Sequence, residues 1–136
     1  MNTQSREANL AWIPESGFQL RKAGVQFDAV RIDGDDGRRL ADFLHRMTGG
    51  DPGPIVTEAN GARAVYFLLP PGTTAHRSWP RGVTRLNSAS GCFGYVPVPA
   101  LRGPTWPLAW WSPPAADDRH FVHPLLLRAA AIELLD

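Results

Sequence analysis

Three carboxylates, Asp33, Asp35 and Asp36, follow the first segment with strand character and are suited to metal chemistry. Clustered carboxylate oxygens can hold a divalent cation and bridge it to substrate phosphates, as phosphoryl transfer requires. The structural alternative is that Asp35 or Asp36 accepts hydrogen bonds from the first free N–H groups of a following helix. Both interpretations place the carboxylates between a strand and a helix.

Three arginines, Arg31, Arg63 and Arg85, lie on three different predicted strands. Their guanidinium groups could together bind phosphate, because each offers a planar fork of hydrogen-bond donors. The alternative is that each faces solvent and pairs with a nearby acid such as Asp28 or Glu58. The residue types leave both interpretations open.

Three tryptophans, Trp106, Trp110 and Trp111, lie close together in a proline-rich segment. They could stack on nucleic-acid bases or form an apolar surface for a protein partner. The third alternative is that they pack a loop against the sheet. The segment is therefore the candidate partner surface.

The remaining reactive side chains form no recognisable site. His120 and His123 are three residues apart, but no set of acids or histidines with metal-ligand spacing surrounds them, which favours capping or surface roles. Cys92 lies in an apparent strand without a second cysteine, as is typical of a buried thiol. The sequence has neither a glycine-rich phosphate loop nor a serine nucleophile elbow. We predict no catalytic residue, no metal ligand and no cofactor.

Length and charge limit the class of protein. The chain has 136 residues, 14 basic and 13 acidic side chains and one cysteine. These values predict one domain and exclude a disulfide framework or a wholly basic nucleic-acid coat. The first 20 residues lack the apolar core of a signal peptide, and no apolar stretch approaches the roughly 20 residues of a membrane span. We expect a cytoplasmic protein without membrane contact, with a flexible N-terminus (residues 1–10) before one domain (residues 11–136).

A helix and a hairpin must position these candidates. Apolar side chains recur at i, i+3, i+4 and i+7 over Leu40–Met47, which predicts an amphipathic helix. Asn60 and Gly61 separate the strand-like segments Ile55–Glu58 and Arg63–Leu69. Because Asn-Gly tolerates positive φ angles, this spacing favours a tight type I′ hairpin.

Further strands and a second helix complete the prediction. Proline suits the first position of a helix, so we expect a C-terminal helix from Pro124. Prolines restrict Trp106–Trp111 to an edge strand, and residues 17–20 are a short extended candidate. The other predicted strands are Val25–Ile32, Val83–Asn87 and Cys92–Val98. The fold class is α+β, with a small, mostly antiparallel sheet of about five strands and two helices.

Three segments, in this order, resemble a known family: Phe27–Gly37, Thr57–Pro71 and Gly82–Pro99. They are similar to the metal-binding strand, the hairpin and the third metal strand of bifunctional DNA primase/polymerases. These enzymes form the prim-pol branch of the archaeo-eukaryotic primase superfamily, and the likeness is to its small, reduced actinobacterial members. The resemblance implies a primase/polymerase-like core, which is RRM-like.

The chain departs from this family at the metal ligands. The resemblance places Arg31, Ala64 and Thr84 where the family has an Asp, a His and an Asp, and it retains only Asp33. Two-metal phosphoryl transfer needs several carboxylates to hold both ions. The resemblance therefore implies that this copy has lost catalysis.

Three functional hypotheses follow. The first is a non-catalytic binding or regulatory domain in which Arg31, Asp33, Arg63 and Arg85 hold the phosphate of a nucleotide or nucleic acid without metal. The second is a regulatory scaffold whose tryptophan segment and C-terminal helix contact another protein or form a homodimer. The third is an active nucleotidyltransferase, which needs ligands from other residues: Asp28, Asp35, Asp36 or His76.

Overall fold

The computed structural model describes residues 11–115 and 120–135, so the predicted flexible N-terminus lies outside the described residues. Within these ranges the fold is α+β, with two helices and seven strands in two antiparallel sheets. The strands are β1 (Phe18–Lys22), β2 (Asp28–Asp33), β3 (Ile55–Glu58), β4 (Ala64–Leu69), β5 (Val83–Leu86), β6 (Tyr95–Pro99) and β7 (Leu108–Ser112). The helices are α1 (Gly34–Met47) and α2 (Pro124–Leu135).

The central sheet has five strands in the order β5-β2-β4-β3-β7. Helix α1 connects β2 to β3, and β4 lies between these two strands, so the connection is a split β-α-β crossover. Strand β7 lies at the edge of the sheet, as the prolines that flank it predict. Neither described helix has the length and hydrophobicity that crossing a bilayer would require.

Helix α1 packs on one face of the central sheet through its predicted apolar stripe. Leu40 and Leu44 are buried there with the β4 side chain Phe67. Gly37 permits this close approach, because a Cβ atom at that position would lie 2.5 Å from the carbonyl oxygen of Ile32. The predicted helix is confirmed, although its apolar stripe is buried only in part, because Met47 at its end is 58% exposed.

The start of α1 differs from the prediction that Asp35 or Asp36 caps it. The helix begins at Gly34 and the N-cap residue is Asp33, which makes no side-chain capping bond. The N–H of Gly34 instead donates to the carbonyl oxygen of Arg63, 3.0 Å away. Asp35 and Asp36 therefore lie in the first turn, and the capping prediction is wrong.

The hairpin prediction is confirmed in its strands and wrong in its turn. Strands β3 and β4 pair antiparallel, with Thr57 opposite Val65. Residues 59–63 connect them, so the connection is longer than a two-residue Asn-Gly turn. Gly61 and Arg63 both have positive φ, 60° and 54°. These two residues turn the chain where the Asn-Gly signal predicted a tighter bend.

A second, two-stranded sheet covers the other face of the central sheet. Strands β1 and β6 pair antiparallel, and we call this unit the ribbon. Its side chains Val96 and Val98 are buried against Tyr66 and Leu68 of β4. Because helices cover one face and the ribbon the other, every residue of β4 is buried. Strands β1 and β7, which correspond to the extended candidates at residues 17–20 and 106–111, raise the strand count above the predicted five.

Candidate functional site

One end of strand β2 carries the predicted charged residues. Backbone pairing places Arg31 opposite Thr84 of β5, and Asp33 opposite Ala64 of β4. Directly paired residues of antiparallel strands project from the same face of a sheet. Arg31, Asp33, Ala64 and Thr84 therefore form one group on the face that carries the ribbon, and we call this group the strand-end patch.

Arg31 and Asp33 form an ion pair within the patch. The Nε atom of Arg31 donates to Oδ1 of Asp33 at 2.8 Å, and Nη2 donates to Oδ2 at 3.5 Å. This hydrogen bond is the main reason that the pKa of Arg31 is raised, while burial acts in the opposite direction. The two side chains are 35% and 50% exposed, so the pair contributes little to stability and is accessible to a ligand.

The ring of Tyr66 supports the guanidinium of Arg31. The Cζ atom of Arg31 lies 5.8 Å from the ring centroid, and β2–β4 pairing places the two residues opposite each other. Tyr66 itself is buried between the sheet and the ribbon. A cation over an aromatic face is attracted by the ring quadrupole. Arg31 is therefore held against the sheet by Tyr66 and Asp33 together.

The patch is poorly suited to a metal ion. Its one carboxylate, Asp33, is already paired with the guanidinium of Arg31, which repels cations. Among residues 11–115 and 120–135, no cluster of three or more His, Cys, Asp or Glu side chains could hold a metal ion. The patch instead presents guanidinium N–H groups and the exposed Thr84 beside a single acid.

Arg63 lies at the same end of the sheet but forms a separate ion pair. Its Nη1 donates to Oδ1 of Asp35 at 2.9 Å. Its carbonyl oxygen accepts from Nη1 of Arg38 at 2.7 Å, and Nη2 of Arg38 donates to the carbonyl oxygen of Glu58. Burial and the positive charge of Arg63 lower the pKa of Arg38. Arg63 thus lies at the rim of the patch, and its side chain is paired with Asp35 in the first turn of α1.

The structure does not bring Arg85 to the patch. Arg85 pairs with Val30, whose side chain is in the core beneath the helices, on the opposite face of the sheet from Arg31. Its Nη1 donates to the carbonyl oxygens of Thr74 and Arg77, at 3.3 and 3.2 Å. The arginines that the sequence suggested as one group are therefore divided between the two faces of the sheet.

The three tryptophans have different environments. Trp110 donates from Nε1 to the carbonyl oxygen of Pro99, and its ring is 6.3 Å from that of Trp12. Trp111 packs against the core between the helices and the central sheet, and its ring contacts the ring of His45 edge to face. Trp106 is 74% exposed. Two of the three tryptophans therefore pack against the sheet, and only Trp106 offers a large apolar surface.

Two predicted histidine roles are structural. The N–H of Leu126 donates to Nδ1 of His123 at 3.3 Å, so His123 caps the first turn of α2. The Nε2 atom of His120 lies 2.7 Å from Oδ1 of Asp51. Cys92 is half-buried and precedes β6, so the predictions that it lies in a strand and is buried are wrong. These contacts agree with the capping and surface roles that the sequence favoured for the histidines.

The sequence suggested Asp28 as a surface partner of arginine or as a metal ligand, but the structure places it in a buried polar network. Oδ2 of Asp28 accepts from the N–H and Oγ1 of Thr74, at 3.1 and 2.8 Å. Oγ1 of Thr74 also accepts from Nδ2 of Asn87 at 2.7 Å. All three side chains are buried. The sequence feature that could have indicated this network is the acidic residue Asp28 within an apolar strand segment.

Comparison with known proteins returned no match. No family model, no curated protein and no solved structure matches the chain.

The burial of Tyr66 predicts a loss of stability in alkali. Burial raises the pKa of Tyr66 above its ordinary value of 10.0, and the charge of Arg31 acts in the opposite direction. As pH rises above about 10, the unfolded chain loses the phenolic proton before the folded chain does, so the free energy of unfolding falls. We expect Tyr66→Phe to remove the part of this decrease in unfolding free energy that comes from Tyr66. The measurement is urea unfolding between pH 8 and about 11. The control Tyr95→Phe, at an exposed position, should retain it.

Proposed function

We propose that this protein is a non-catalytic, primase/polymerase-like domain that binds the phosphate of a nucleotide or nucleic acid at the strand-end patch. One observation carries the proposal. The positions that the resemblance assigns to the metal ligands come from three strands (Arg31 and Asp33 on β2, Ala64 on β4 and Thr84 on β5), and strand pairing places them on one face. This grouping is what a shared binding site at these positions requires.

The strand order also supports the proposal. In the βαββ part of an RRM-like core, the third strand lies between the first and the second. Strand β4 has this position between β2 and β3, and β5 borders β2 on the other side. The second helix of the helical layer, α2, comes from the C-terminal end of the chain and packs beside α1. The chain thus combines an RRM-like strand order with a different source for one helix.

The chemistry of the patch favours an anion over a cation. Arg31 stands where the family has a metal-binding acid, and its described bonds to Asp33 use Nε and Nη2 but not Nη1. A phosphate could accept hydrogen bonds from this guanidinium and from the exposed hydroxyl of Thr84. Such a phosphate competes with Asp33 for the same cation. We therefore expect weak binding that requires no magnesium.

The test is to substitute each member of the ion pair. Asp33→Asn removes the competing carboxylate and should strengthen binding about tenfold, whereas Arg31→Ala should weaken it about tenfold, since charge-assisted hydrogen bonds contribute roughly 1.5–3 kcal/mol. Binding is measured by calorimetry with ATP and by fluorescence anisotropy with a labelled single-stranded oligonucleotide, each in EDTA. The matched control is Asp42→Asn, which removes the acid of the exposed pair between Arg46 and Asp42 on α1 and should change nothing.

Two outcomes contradict the proposal. One is that neither ATP nor the oligonucleotide binds the unsubstituted protein. The other is binding that requires magnesium and is lost in Asp33→Asn, because that result would make Asp33 a metal ligand and support a nucleotidyltransferase instead.

The alternative function is a protein-interaction scaffold, and the observation that favours it is the exposure of Trp106. Large aromatic side chains are enriched among residues that contribute most to protein interfaces. A dimer or partner complex that dissociates when Trp106 is replaced by alanine would support this alternative.

A further inference from the structure

The ribbon has an unpaired edge. Strand β1 pairs with β6 on one side, and among the described residues no strand pairs with its other side. Leu20 at its centre is 60% exposed, although it lies in the middle of a strand. Natural proteins usually protect such edges, because unpaired N–H and C=O groups can pair with another chain.

Hydrogen bonds at the two ends of β1 show which backbone groups face the free edge. The N–H of Ala23 donates to the carbonyl oxygen of Gly94, and the N–H of Ala100 donates to that of Gly17. Because antiparallel strands alternate between bonded and non-bonded residue pairs, the odd-numbered residues 17–23 bond to the β6 side. Phe18, Leu20 and Lys22 therefore direct their N–H and C=O groups toward the free edge.

The outer face of the ribbon is apolar beside this edge. Phe18 and Leu20 project from the face that also carries Tyr95, which is 60% exposed. The ammonium of Lys22 lies 5.2 Å above the ring centroid of exposed Phe93. An edge with exposed apolar side chains favours association.

We propose that β1 pairs antiparallel with β1 of a second copy of this chain, about a twofold axis at Leu20. In this register Leu20 faces Leu20, and Phe18 faces Lys22 of the other copy. All three residues direct their backbone groups outward, so each facing pair can exchange two hydrogen bonds. The two ribbons become one four-stranded antiparallel sheet. This inference is independent of the proposed phosphate binding.

Charge and hydrogen bonding select this register and this partner. In the register centred on Leu20, Arg21 faces Gln19 of the other copy, and no two charged residues of β1 lie opposite each other. A register centred on Arg21 would oppose two arginines, and like charges directly opposite each other destabilise a sheet. The edge is therefore self-complementary, as a twofold interface requires.

The extent of the edge determines the strength of the dimer. Strand β1 has five residues, so the contact area lies below the roughly 1,200 Å² of standard stable interfaces. We expect a weak dimer with a dissociation constant in the micromolar range or above.

The test uses opposite charges at the twofold axis. Sedimentation equilibrium of the full chain, from about 1 µM to about 1 mM, should show a monomer–dimer equilibrium. Leu20→Lys and Leu20→Glu should each be monomeric, because two like charges then face each other at the axis. Mixing the two variants should restore the dimer, a result that loss of folding cannot produce. Thermal unfolding of each variant verifies its fold.

Several outcomes overturn the inference. A wild-type chain that remains monomeric throughout this range contradicts it. So does a dimer that persists in both variants, or one that the mixture fails to restore although both variants are folded. Trp106→Ala serves as the control at the other exposed aromatic surface and should leave the monomer–dimer equilibrium unchanged. If the dimer is lost in this variant alone, the interface lies at Trp106 and not at β1.

Discussion

Phe67→Ala is expected to lower the free energy of unfolding by about 3–5 kcal/mol, the range for removing a buried phenyl ring. Phe67 is fully buried at the centre of β4, beneath both helices. Loss of its ring removes contacts with the helical layer and leaves a cavity that the surrounding strands cannot close. Because a domain of this size is stabilised by roughly 5–15 kcal/mol, this loss removes a large fraction of its stability.

The measurement is urea unfolding followed by tryptophan fluorescence and circular dichroism. Phe93→Ala is the matched control, since the ring of Phe93 is exposed on the loop before β6. We expect that control to change stability by no more than about 0.5 kcal/mol. Equal effects of the two substitutions would show that β4 is not the central buried strand.

Thr74→Val is expected to destabilise the protein by about 2–3 kcal/mol, although it preserves the shape of the side chain. The hydroxyl of Thr74 donates to Asp28 and accepts from Asn87. Its removal leaves Oδ2 of Asp28 with the backbone N–H of residue 74 alone, and it leaves a buried amide donor without this acceptor. A buried polar group without a partner costs more than a hydrogen bond contributes when formed.

Thr84→Val provides the control for this network, because Thr84 is exposed on the neighbouring strand β5. Valine is compatible with an exposed strand position, so the change in stability should be small. The same urea titration measures both variants. A Thr74→Val protein as stable as the wild type would mean that solvent reaches Asp28.

Local sequence patterns could predict the elements of this fold whose conformation depends on residues nearby in the sequence. The apolar spacing over Leu40–Met47 predicts α1, because helical periodicity is a property of the segment itself. The segments flanking Asn60 and Gly61 pair as predicted. The turn between them differs because Arg63 adopts a positive φ angle and its carbonyl oxygen bonds to the start of α1. That contact is tertiary, and the dipeptide signal contains no information about it.

Long-range pairing could not be predicted in this way. Strand β1 is short and mostly exposed, and its partner β6 lies more than seventy residues later in the chain. The face of the sheet on which Arg85 lies depends on the register between β2 and β5, since a shift of one residue moves every side chain to the other face. The patch itself was predictable in part: Arg31 and Asp33, two residues apart on one strand, must share a face.

The position of the ribbon has a consequence for synthesis on the ribosome. Residues up to Leu69 contain β2, α1, β3 and β4, which can pair with one another as soon as they emerge. Their second apolar face, including Leu68, stays uncovered until β6 arrives about thirty residues later. An incomplete chain released in that interval exposes an apolar sheet surface and is therefore prone to aggregate.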